Sequence, residues 1–441
     1  MFETIVALAT APLKSALSIV RLSGDDCFFV VNKIFSKDLT KYTKNSIIHG
    51  QIIDGTETVD DVVLLLYIAP HSFTGENSVE IISHGSPIIF NKIIDLCIKS
   101  GARLATGGEF SSRAYFHGKM NLMEAESIND LINAESEESK KISMMALEGK
   151  TSLLIEPIKT KLGDLLSNIE VNIDYPEYLD IEEANNEKIV EFCRDILKYI
   201  DELIKNGNKG NIIKDGIKVA IVGKPNVGKS SILNALLNEE KAIVTNIKGT
   251  TRDIVEGKIN LNGVIINLFD TAGIRESSDV VEEIGIKKSI EKLNDSDIVL
   301  CVFDSANFDN EDKEILELVK NKKHIIVYNK SDLIKEKVAD NLYISALNKD
   351  IEPLKNKILE ILDLKKENYE NPSIANVREL GLLKNIQEIL KNILRDTEND
   401  VPIDIINSEI KEAYLKTLSI TGEDFDFDIS KEIFSRFCVG K

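Results

Sequence analysis

The sequence predicts a multidomain fold of mixed α/β and α class, with three domains formed from four segments of chain. Strand-like and helical patterns alternate over residues 213–366, which is typical of a doubly wound sheet. Long amphipathic helices lie on both sides, in 118–212 and 367–441, so we expect one helical bundle domain into which the sheet domain is inserted. Residues 1–117 mix short strands with a helix and predict an α+β domain.

The composition is that of a globular protein with room for several cores. The chain has 441 residues, of which 43% are hydrophobic and 29% are charged. Its net charge is −19, opposite in sign to the basic surface with which proteins usually bind nucleic acid. We therefore expect any contact with RNA to be confined to a local patch, or to be shared with a more basic partner.

The sequence favours a cytoplasmic protein that does not enter a membrane. The start, Met1-Phe2-Glu3, is unlike a signal peptide, and the longest apolar run, at 62–69, is too short to span a bilayer. The five cysteines are scattered, and no pair has the spacing of a metal site or a redox motif. Such usage is typical of a reducing compartment.

Short strands and one helix are predicted in the first segment. Apolar runs at 5–8, 17–22 and 61–68 predict strands, and apolar residues at helical spacing predict a helix over 91–99. Five amphipathic helices are predicted in the bundle segments, at 122–148, 153–169, 187–204, 374–394 and 405–418. The Gly-rich stretch 206–210 predicts a flexible joint before the sheet domain.

The stretch Gly223-Lys224-Pro225-Asn226-Val227-Gly228-Lys229-Ser230 has the pattern of a phosphate-binding loop. It lies between an apolar run at 217–222 and a helical pattern at 231–237, which is the strand–loop–helix context that such a loop needs. Its glycines allow backbone N–H groups to face phosphate oxygens. Lys229 can reach the β- and γ-phosphates, and Ser230 can bind Mg²⁺. The sequence therefore predicts a bound nucleotide.

Four later motifs follow in the order that a GTPase requires. They are Gly249-Thr250-Thr251-Arg252-Asp253, Asp270-Thr271-Ala272-Gly273, Asn329-Lys330-Ser331-Asp332 and Ser345-Ala346. A threonine of the first can reach Mg²⁺ and the γ-phosphate, Asp270 can hold Mg²⁺ through water, and the N–H of Gly273 can sense the γ-phosphate. Asp332 can accept from the N1 and N2 donors of guanine, which adenine lacks, so we expect GTP as the substrate.

The group that orients the attacking water is not obvious from these motifs. Many small GTPases place a glutamine directly after the Asp-Thr-Ala-Gly motif, whereas this chain has Ile274, which cannot form a hydrogen bond. Another group, an ion or a partner must therefore complete catalysis. The nearby charged candidates are each more often a solvated charge than a catalyst: Arg275, Glu276, Asp279, Glu282 and Glu283.

Three further stretches make the pattern more specific. They are Ser72-Phe73-Thr74-Gly75-Glu76, Gly108-Glu109-Phe110-Ser111-Ser112-Arg113-Ala114 and the terminal Phe437-Cys438-Val439-Gly440-Lys441. With these and the GTPase motifs, the chain resembles the MnmE (TrmE) family of tRNA-modification GTPases over nearly its whole length. The resemblance implies an N-terminal folate-binding and dimerisation domain, a split helical domain, and an inserted Ras-like P-loop GTPase domain.

The resemblance also implies a reaction and partners. A homodimer, joined to a flavin-dependent partner of the MnmG (GidA) type in a heterotetramer or larger complex, would install an aminomethyl-type group at C5 of the wobble uridine (U34) of tRNA. The one-carbon unit would come from 5-formyl-tetrahydrofolate or a related tetrahydrofolate. GTP would be hydrolysed with Mg²⁺ and with activation by K⁺, and hydrolysis would drive the conformational cycle.

The resemblance extends the nucleotide site beyond what the motifs alone assign. The expected GTP-binding residues are Asn226, Val227, Gly228, Lys229, Ser230, Ser231, Thr245, Asn246, Ile247, Lys248, Gly249, Thr250, Thr251, Asp270, Thr271, Ala272, Gly273, Asn329, Lys330, Asp332, Ser345 and Ala346. Mg²⁺ is assigned to Ser230 and Thr251. K⁺ is assigned to Asn226, Thr245, Ile247 and Thr250, and Glu282 matches the glutamate that positions water. Without the resemblance, Asn226 would be interpreted as a turn residue.

The resemblance places a folate pocket at Arg21, Glu80, Lys119 and Lys441. Each of these, taken alone, is more often a surface charge. An Arg or Lys suits the glutamate tail of folate, and a carboxylate suits the donors of its pterin ring. The family usually has a Gly-rich loop near the first strand, whereas this chain has Pro12-Leu13-Lys14-Ser15-Ala16, and a backbone without glycine approaches a ligand less closely.

Two alternative functions remain open at this point. A GTP-driven switch for ribosome or RNA assembly would more often carry a basic RNA-binding domain in its first 117 residues. A membrane-associated or stress GTPase is disfavoured, because the sequence has no apolar anchor or basic amphipathic helix. Cys438 is a minor candidate for a catalytic role, since a cysteine without a base partner is more often inert.

Overall fold

The computed structural model describes residues 3–174, 186–239, 257–270, 293–399, 401–424, 433–435, 437 and 440. The chain divides into two compact units. The first takes Met1–Asn129, Ala146–Glu182 and Pro402–Lys441, and the second takes Asp130–Met145 and Glu183–Val401. Both units take chain from the segments in which the helical bundle was expected. The domain boundaries drawn from the sequence therefore stay a prediction.

Two six-stranded sheets and their flanking helices account for the regular structure of the described residues. The strands are β1 (Ile5–Leu8), β2 (Leu17–Ser23), β3 (Ser46–Asp54), β4 (Glu57–Tyr67), β5 (Ser78–His84), β6 (Arg103–Leu104), β7 (Ile217–Val222), β8 (Gly257–Leu261), β9 (Val264–Asp270), β10 (Ile298–Asp304), β11 (His324–Asn329) and β12 (Leu342–Tyr343). The α-helices are α1 (Cys27–Asn32), α2 (Pro87–Lys99), α3 (Glu109–Phe116), α4 (Leu122–Asn133), α5 (Glu137–Leu147), α6 (Glu156–Asp174), α7 (Asn186–Asp215), α8 (Lys229–Glu239), α9 (Asn310–Val319), α10 (Glu352–Leu362), α11 (Glu367–Glu370), α12 (Val377–Glu398) and α13 (Ile403–Thr421).

The sheet of the first unit has the order β3-β4-β5-β2-β1-β6. Its pairs are antiparallel, apart from the parallel pair of β1 and β6. Every second residue of β4, at Val62, Leu64 and Leu66, is buried in the core that α1 and α2 share with the sheet. Alternate burial follows from the pleat, because successive side chains point to opposite faces. The α+β fold predicted for this part of the chain is confirmed.

Helices α6 and α13 pack along each other in the first unit. Helix α6 buries Ile158, Leu162 and Ile169, which recur at helical spacing. Helix α13 buries Ile406 and Ile410 in the same way. The apolar stripes that predicted these helices are therefore packing surfaces.

The single helix predicted over 122–148 is wrong, because the chain forms α4 and α5 with a break between them. The Oγ of Ser136 accepts a hydrogen bond from the backbone N–H of Ser139 at 3.1 Å. A serine hydroxyl that satisfies an N–H of the first turn starts a new helix. Apolar spacing alone does not reveal such a break, because the stripe continues on both sides of it.

The sheet of the second unit has the order β12-β11-β10-β7-β9-β8. It is parallel except for the antiparallel pair of β8 and β9. The central strand β10 is buried from Ile298 to Phe303, as expected for a parallel strand covered on both faces. The doubly wound fold is therefore confirmed. The carboxyl ends of β7, β10 and β11 meet at one edge of this sheet.

The flexible joint predicted at 206–210 is wrong, because α7 runs without interruption from Asn186 to Asp215. A Cβ built on Gly207 would lie 2.3 Å from the carbonyl oxygen of Ile374, and one on Gly210 would lie 2.4 Å from the Oγ of Ser373. The two glycines therefore let the chain near 373–375 approach the helix. They serve close packing, which composition cannot distinguish from flexibility.

None of the helices among the described residues combines the length and the apolar character that a bilayer span requires.

We expect Gly207→Ala to lower the midpoint of thermal unfolding by several degrees. The added methyl group would meet the backbone of Ile374, and overpacking of this kind costs about 1–3 kcal/mol. In a unit of this size, 1 kcal/mol corresponds to a shift of about 2–4 °C. Calorimetry of the purified variant measures the shift.

Gly381→Ala is the matched control, since Gly381 lies in α12 and a Cβ there would have no neighbour within 4 Å. Alanine is the better helix former by about 1 kcal/mol, so this variant should be at least as stable as the wild type. Equal midpoints for both variants would contradict the packing role of Gly207.

Candidate nucleotide-binding site

The phosphate-type loop connects the end of β7 to the start of α8 at this edge of the sheet. A Cβ on Gly223 would lie 2.3 Å from the carbonyl oxygen of Val302, and one on Gly228 would lie 2.2 Å from the Nδ2 of Asn329. Both positions have positive φ, at 154° and 100°. No larger residue fits there, which is why the loop needs these two glycines. Asn226 also has a positive φ, of 63°, which asparagine tolerates better than most residues.

The ammonium group of Lys229 lies over the loop. Its Nζ donates to the carbonyl oxygens of Gly223, at 2.8 Å, and of Lys224, at 2.9 Å. These bonds hold a positive charge beside the N–H groups at the start of α8. Charge and N–H donors together form a site for an anion such as phosphate.

Asn329 joins this loop to the opposite wall of the site. Its Nδ2 donates to the carbonyl oxygen of Val227 at 2.9 Å, and its Oδ1 accepts from the N–H of Ala346 at 3.1 Å. Asn329 is buried, so both bonds are shielded from water. One amide therefore fixes three loops, which follow β7, β11 and β12.

Asp332 presents an exposed carboxylate to the site, held by a neighbouring hydroxyl. The Oγ of Ser345 donates to Oδ1 of Asp332 at 2.5 Å. A charged acceptor held in this way suits two adjacent N–H donors on the edge of a base.

Lys330 is held by the carboxylate of Asp304, the last residue of β10. Its Nζ lies 2.7 Å from Oδ2 of Asp304. Burial raises the pKa of Asp304, but the hydrogen bonds from Lys330 and from the N–H of Ala306 outweigh it, so the net pKa lies below the ordinary value. Asp304 is therefore ionised and holds Lys330 as a charged pair.

These loops surround a cavity of about 630 Å³. Its size lies within the range of ordinary small-molecule sites. It is lined by Pro225, Asn226, Gly228, Lys229, Ser230, Ser231, Asn329, Lys330, Asp332, Leu333, Ala346 and Leu347. The fold thus brings together nine of the residues expected from the sequence, while Val227 and Ser345 support the wall through the bonds described above. Sequence reasoning missed Pro225, Leu333 and Leu347, although each stands within or beside a recognised motif.

The described lining of the cavity does not include the other expected residues of the nucleotide and folate sites. Asp270 is the last residue of β9 and pairs with Ile221 of β7, two residues before Gly223. The remaining expected site residues lie outside the described residues: Thr245, Asn246, Ile247, Lys248, Gly249, Thr250, Thr251, Thr271, Ala272, Gly273, Glu282, Cys438 and Lys441.

The expected cations fit the donors that line this cavity. Ser230 offers a hydroxyl and Asn226 an amide oxygen, and both are oxygen donors that hard cations prefer. Among the described residues, no group of three or more His, Cys, Asp or Glu could hold a metal ion.

Two of the expected folate residues form a pair in the first unit. Arg21 and Glu80 face each other on β2 and β5, and Oε1 of Glu80 lies 2.8 Å from Nε and 2.7 Å from Nη2 of Arg21. Nη1 of Arg21 donates to the carbonyl oxygen of Gly440 at 3.2 Å. The Nζ of Lys119 donates to the carbonyl oxygen of Pro70 at 2.5 Å. The C-terminal segment therefore meets the sheet at Arg21.

The two N-terminal signature motifs meet in an ion-pair network. Arg113, which is 2% exposed, donates to Glu76 at 2.9 Å and to Glu109 at 2.9 Å. Glu109 also accepts from Arg103 at 2.6 Å. Burial raises the pKa of Glu109, but bonds from Arg103, Thr106 and Arg113 outweigh it and lower the value to about 2. The charged residues of both motifs therefore have a structural role that the sequence did not assign.

Comparisons with known proteins cover the chain from end to end. A family model described as GTP-binding protein TrmE N-terminus matches residues 4–119, and the MnmE helical domain model matches residues 122–438. A tRNA modification GTPase MnmE from Mesoplasma florum is 42% identical over 450 residues, covering 100% of this chain and 99% of the relative. Its counterpart from Finegoldia magna is 39% identical over 453 residues, covering 100% of both chains.

Solved structures give a weaker likeness. A crystal structure of Aquifex aeolicus Era aligns with 39% of this chain and 66% of its own, at 29% identity, with a TM-score of 0.28. A score this low adds nothing to the assignment. It is the helical-domain model, which spans most of the chain, and the full-length relatives at 39% and 42% identity that show the family. The chain belongs to the MnmE family of tRNA modification GTPases.

Proposed function

We propose that this chain hydrolyses GTP in the cavity between the phosphate loop and Asp332, as a step in tRNA modification. The observation that carries the proposal is the double hydrogen bond of Asn329, which fixes a phosphate-type loop and a guanine-type wall around one cavity. The chain's place in a family of tRNA modification GTPases supports both halves of the proposal.

Guanine is selected by Asp332. Its carboxylate accepts from N1–H and from the 2-amino group of the base, and Ser345 keeps it in place at 2.5 Å. Adenine has no hydrogen on N1 and no 2-amino group, so it would leave this acceptor without a donor when the base occupies the site. Lys330, anchored by Asp304, lies on the same wall.

The phosphates occupy the loop from Gly223 to Ser230. Lys229 releases its two carbonyl partners and turns to the β- and γ-phosphates, while Ser230 offers its hydroxyl to Mg²⁺ together with Thr251. A K⁺ ion would be held by Asn226 with Thr245, Ile247 and Thr250. Both cations would supply positive charge where negative charge develops during phosphoryl transfer.

Glu282 positions the attacking water, since Ile274 stands where a glutamine is usual and has no polar atom. Both residues lie outside the described ranges, so their roles rest on the sequence and on the family.

Hydrolysis drives modification of the wobble uridine in another part of the assembly. We propose a homodimer that acts in the cytoplasm with a flavin-dependent partner and binds a tetrahydrofolate near Arg21, Glu80, Lys119 and Lys441. The pairing of Arg21 with Glu80 and with Gly440 supports the placement, because it gathers polar groups where the C-terminal segment meets the sheet. Equilibrium dialysis with a tetrahydrofolate tests this part, and the absence of binding would refute it.

The variant Asp332→Asn should prefer xanthine nucleotides, whereas the wild type should prefer guanine nucleotides. The amide nitrogen would donate to the carbonyl that replaces the 2-amino group in xanthine, while the amide oxygen still accepts from N1–H. We expect GDP affinity to fall by about 10³-fold or more and XDP affinity to rise, as judged by calorimetry with both nucleotides. Glu336→Gln, which changes an exposed carboxylate four residues away, serves as the control and should leave both affinities unchanged.

GTP hydrolysis should be faster in potassium than in sodium by about tenfold or more, because loss of a charge-stabilising group at a reaction centre commonly has at least this effect. Asn226→Ala should abolish the difference between the salts. Phosphate release under saturating GTP measures both rates. Equal rates for the wild type in the two salts would remove Asn226 from its proposed role.

The same assay tests Glu282. Glu282→Ala should bind GTP normally and lose turnover, whereas Glu283→Ala should keep it. A Glu282→Ala variant of normal rate would refute the water-positioning role.

Cells that lack this gene should have tRNA without the C5 modification at the wobble uridine. Mass analysis of nucleosides from purified tRNA measures it, and complementation with the wild-type chain should restore the modified nucleoside. An Asp332→Asn chain should not restore it with cellular GTP. Unchanged modification in the deletion strain would favour the assembly switch instead.

A further inference from the structure

Three aspartates, at the end of β10, in the loop that follows it and in the first turn of α9, bind lysines of two nucleotide motifs. Lys224 of the phosphate loop lies 2.7 Å from Oδ2 of Asp309 and 2.8 Å from Oδ2 of Asp312. Lys330 of the guanine motif lies 2.7 Å from Oδ2 of Asp304. None of these three aspartates is among the residues that line the cavity.

Asp312 is the unusual member, because its side chain is 0% exposed. Its Oδ2 also accepts from the N–H of Asp309 at 3.0 Å, and its Oδ1 has no hydrogen-bond partner among the described residues. A buried carboxylate is tolerated where a cation compensates it, and removal of one partner leaves an uncompensated charge. Lys224 supplies that cation, and its side chain is itself only 14% exposed.

The pair with Lys224 acts on the part of the loop that holds Lys229. The carbonyl oxygens of Gly223 and Lys224 are the acceptors of the Lys229 ammonium group. The side chain of Lys224 is fixed by Asp309 and Asp312, whose hydrogen bonds raise the pKa of Lys224 above its ordinary value. The position of its carbonyl group, and so of Lys229 before nucleotide binding, therefore depends on residues 309–312.

The end of β10 and the residue after it hold the guanine motif that contains Asn329 and Lys330. Ser305 donates from its Oγ to the carbonyl oxygen of Lys330 at 2.8 Å, and from its N–H to that of Asn329 at 2.9 Å. Lys330 has a positive φ of 62°, a conformation that needs support from its surroundings. Asp304 and Ser305 supply that support.

We propose that residues 304–312 form a positioning element for the nucleotide site, in which Asp312 holds the phosphate loop through Lys224 and Asp304 holds the guanine loop through Lys330. The inference rests on the proposed GTP-binding function and adds residues that do not touch the nucleotide. One short segment then sets the distance between the groups that bind phosphate and those that bind the base.

The test separates folding from nucleotide affinity by means of a double variant. Lys224→Met leaves Asp312 buried without its cation, and we expect a lower unfolding midpoint and GDP affinity weaker by about tenfold or more. Lys224→Met combined with Asp312→Asn removes both charges, so the midpoint of the nucleotide-free chain should recover while GDP affinity stays weak. Calorimetry of the full chain gives both quantities.

Two further variants test the charge of Lys224 and the separate contribution of Asp304. Lys224→Arg preserves the charge and both partners, and should retain GDP affinity within about threefold. Asp304→Asn should weaken GDP binding independently, so that its effect multiplies with that of Asp312→Asn, since the two residues hold different loops. The control is Lys320→Met with Glu317→Gln, which removes an exposed pair at the other end of α9 and should change neither quantity.

A double variant that recovers its midpoint and also binds GDP like the wild type would overturn the inference, because the pair would then be merely structural. Multiplied losses and rescue by arginine support it. A wild-type chain that does not bind GDP would refute the proposed function instead. The double variant therefore tests the positioning role, and the wild type tests the proposed function.

Discussion

The geometry of the nucleotide site depends on the buried amide of Asn329. This side chain donates to Val227 and accepts from Ala346, so a single planar group sets the spacing of loops that follow three parallel strands. The same amide lies so close to Gly228 that any Cβ there would clash with its nitrogen. The glycine and the asparagine are therefore one constraint, although 100 residues separate them in the chain. Because an unpaired buried amide would cost more than its bonds contribute, the arrangement favours one geometry.

Two lysines of the nucleotide motifs are held by carboxylates in the same unit. Lys224 pairs with Asp312 in the first turn of α9, and Lys330 pairs with Asp304 at the end of β10. Lys229 donates to the backbone carbonyls of Gly223 and Lys224. A carboxylate binds an ammonium group more strongly than a neutral acceptor does, so the aspartates keep Lys224 and Lys330 in place. The site therefore holds two of its lysines as fixed charges.

The features that could be predicted from the sequence are those in which a local pattern has one physical cause. The sheet of the second unit followed from alternating apolar runs, and the walls of the cavity followed from motifs whose residues act within a few positions of each other. The failures have distant causes. Gly207 packs against Ile374, and Lys224 pairs with Asp312, so neither partner is visible in the local sequence. The helix break at Ser136 was missed because a cap interrupts the backbone while leaving the apolar stripe unchanged.

In the first unit, one half-buried side chain contacts all three of the stretches on which the resemblance to the family depends. Phe73 and Phe110, one from each N-terminal motif, have ring centroids 5.7 Å from the guanidinium carbon of Arg21, and Gly440 of the terminal motif accepts from its Nη1. Glu80 takes two more of its N–H groups, so that within the described contacts three of the five donors are used. A guanidinium held by a carboxylate, a carbonyl and two rings has little rotational freedom. Arg21 is thus the point at which all three stretches meet, because Phe73, Phe110 and Gly440 contact the same guanidinium group.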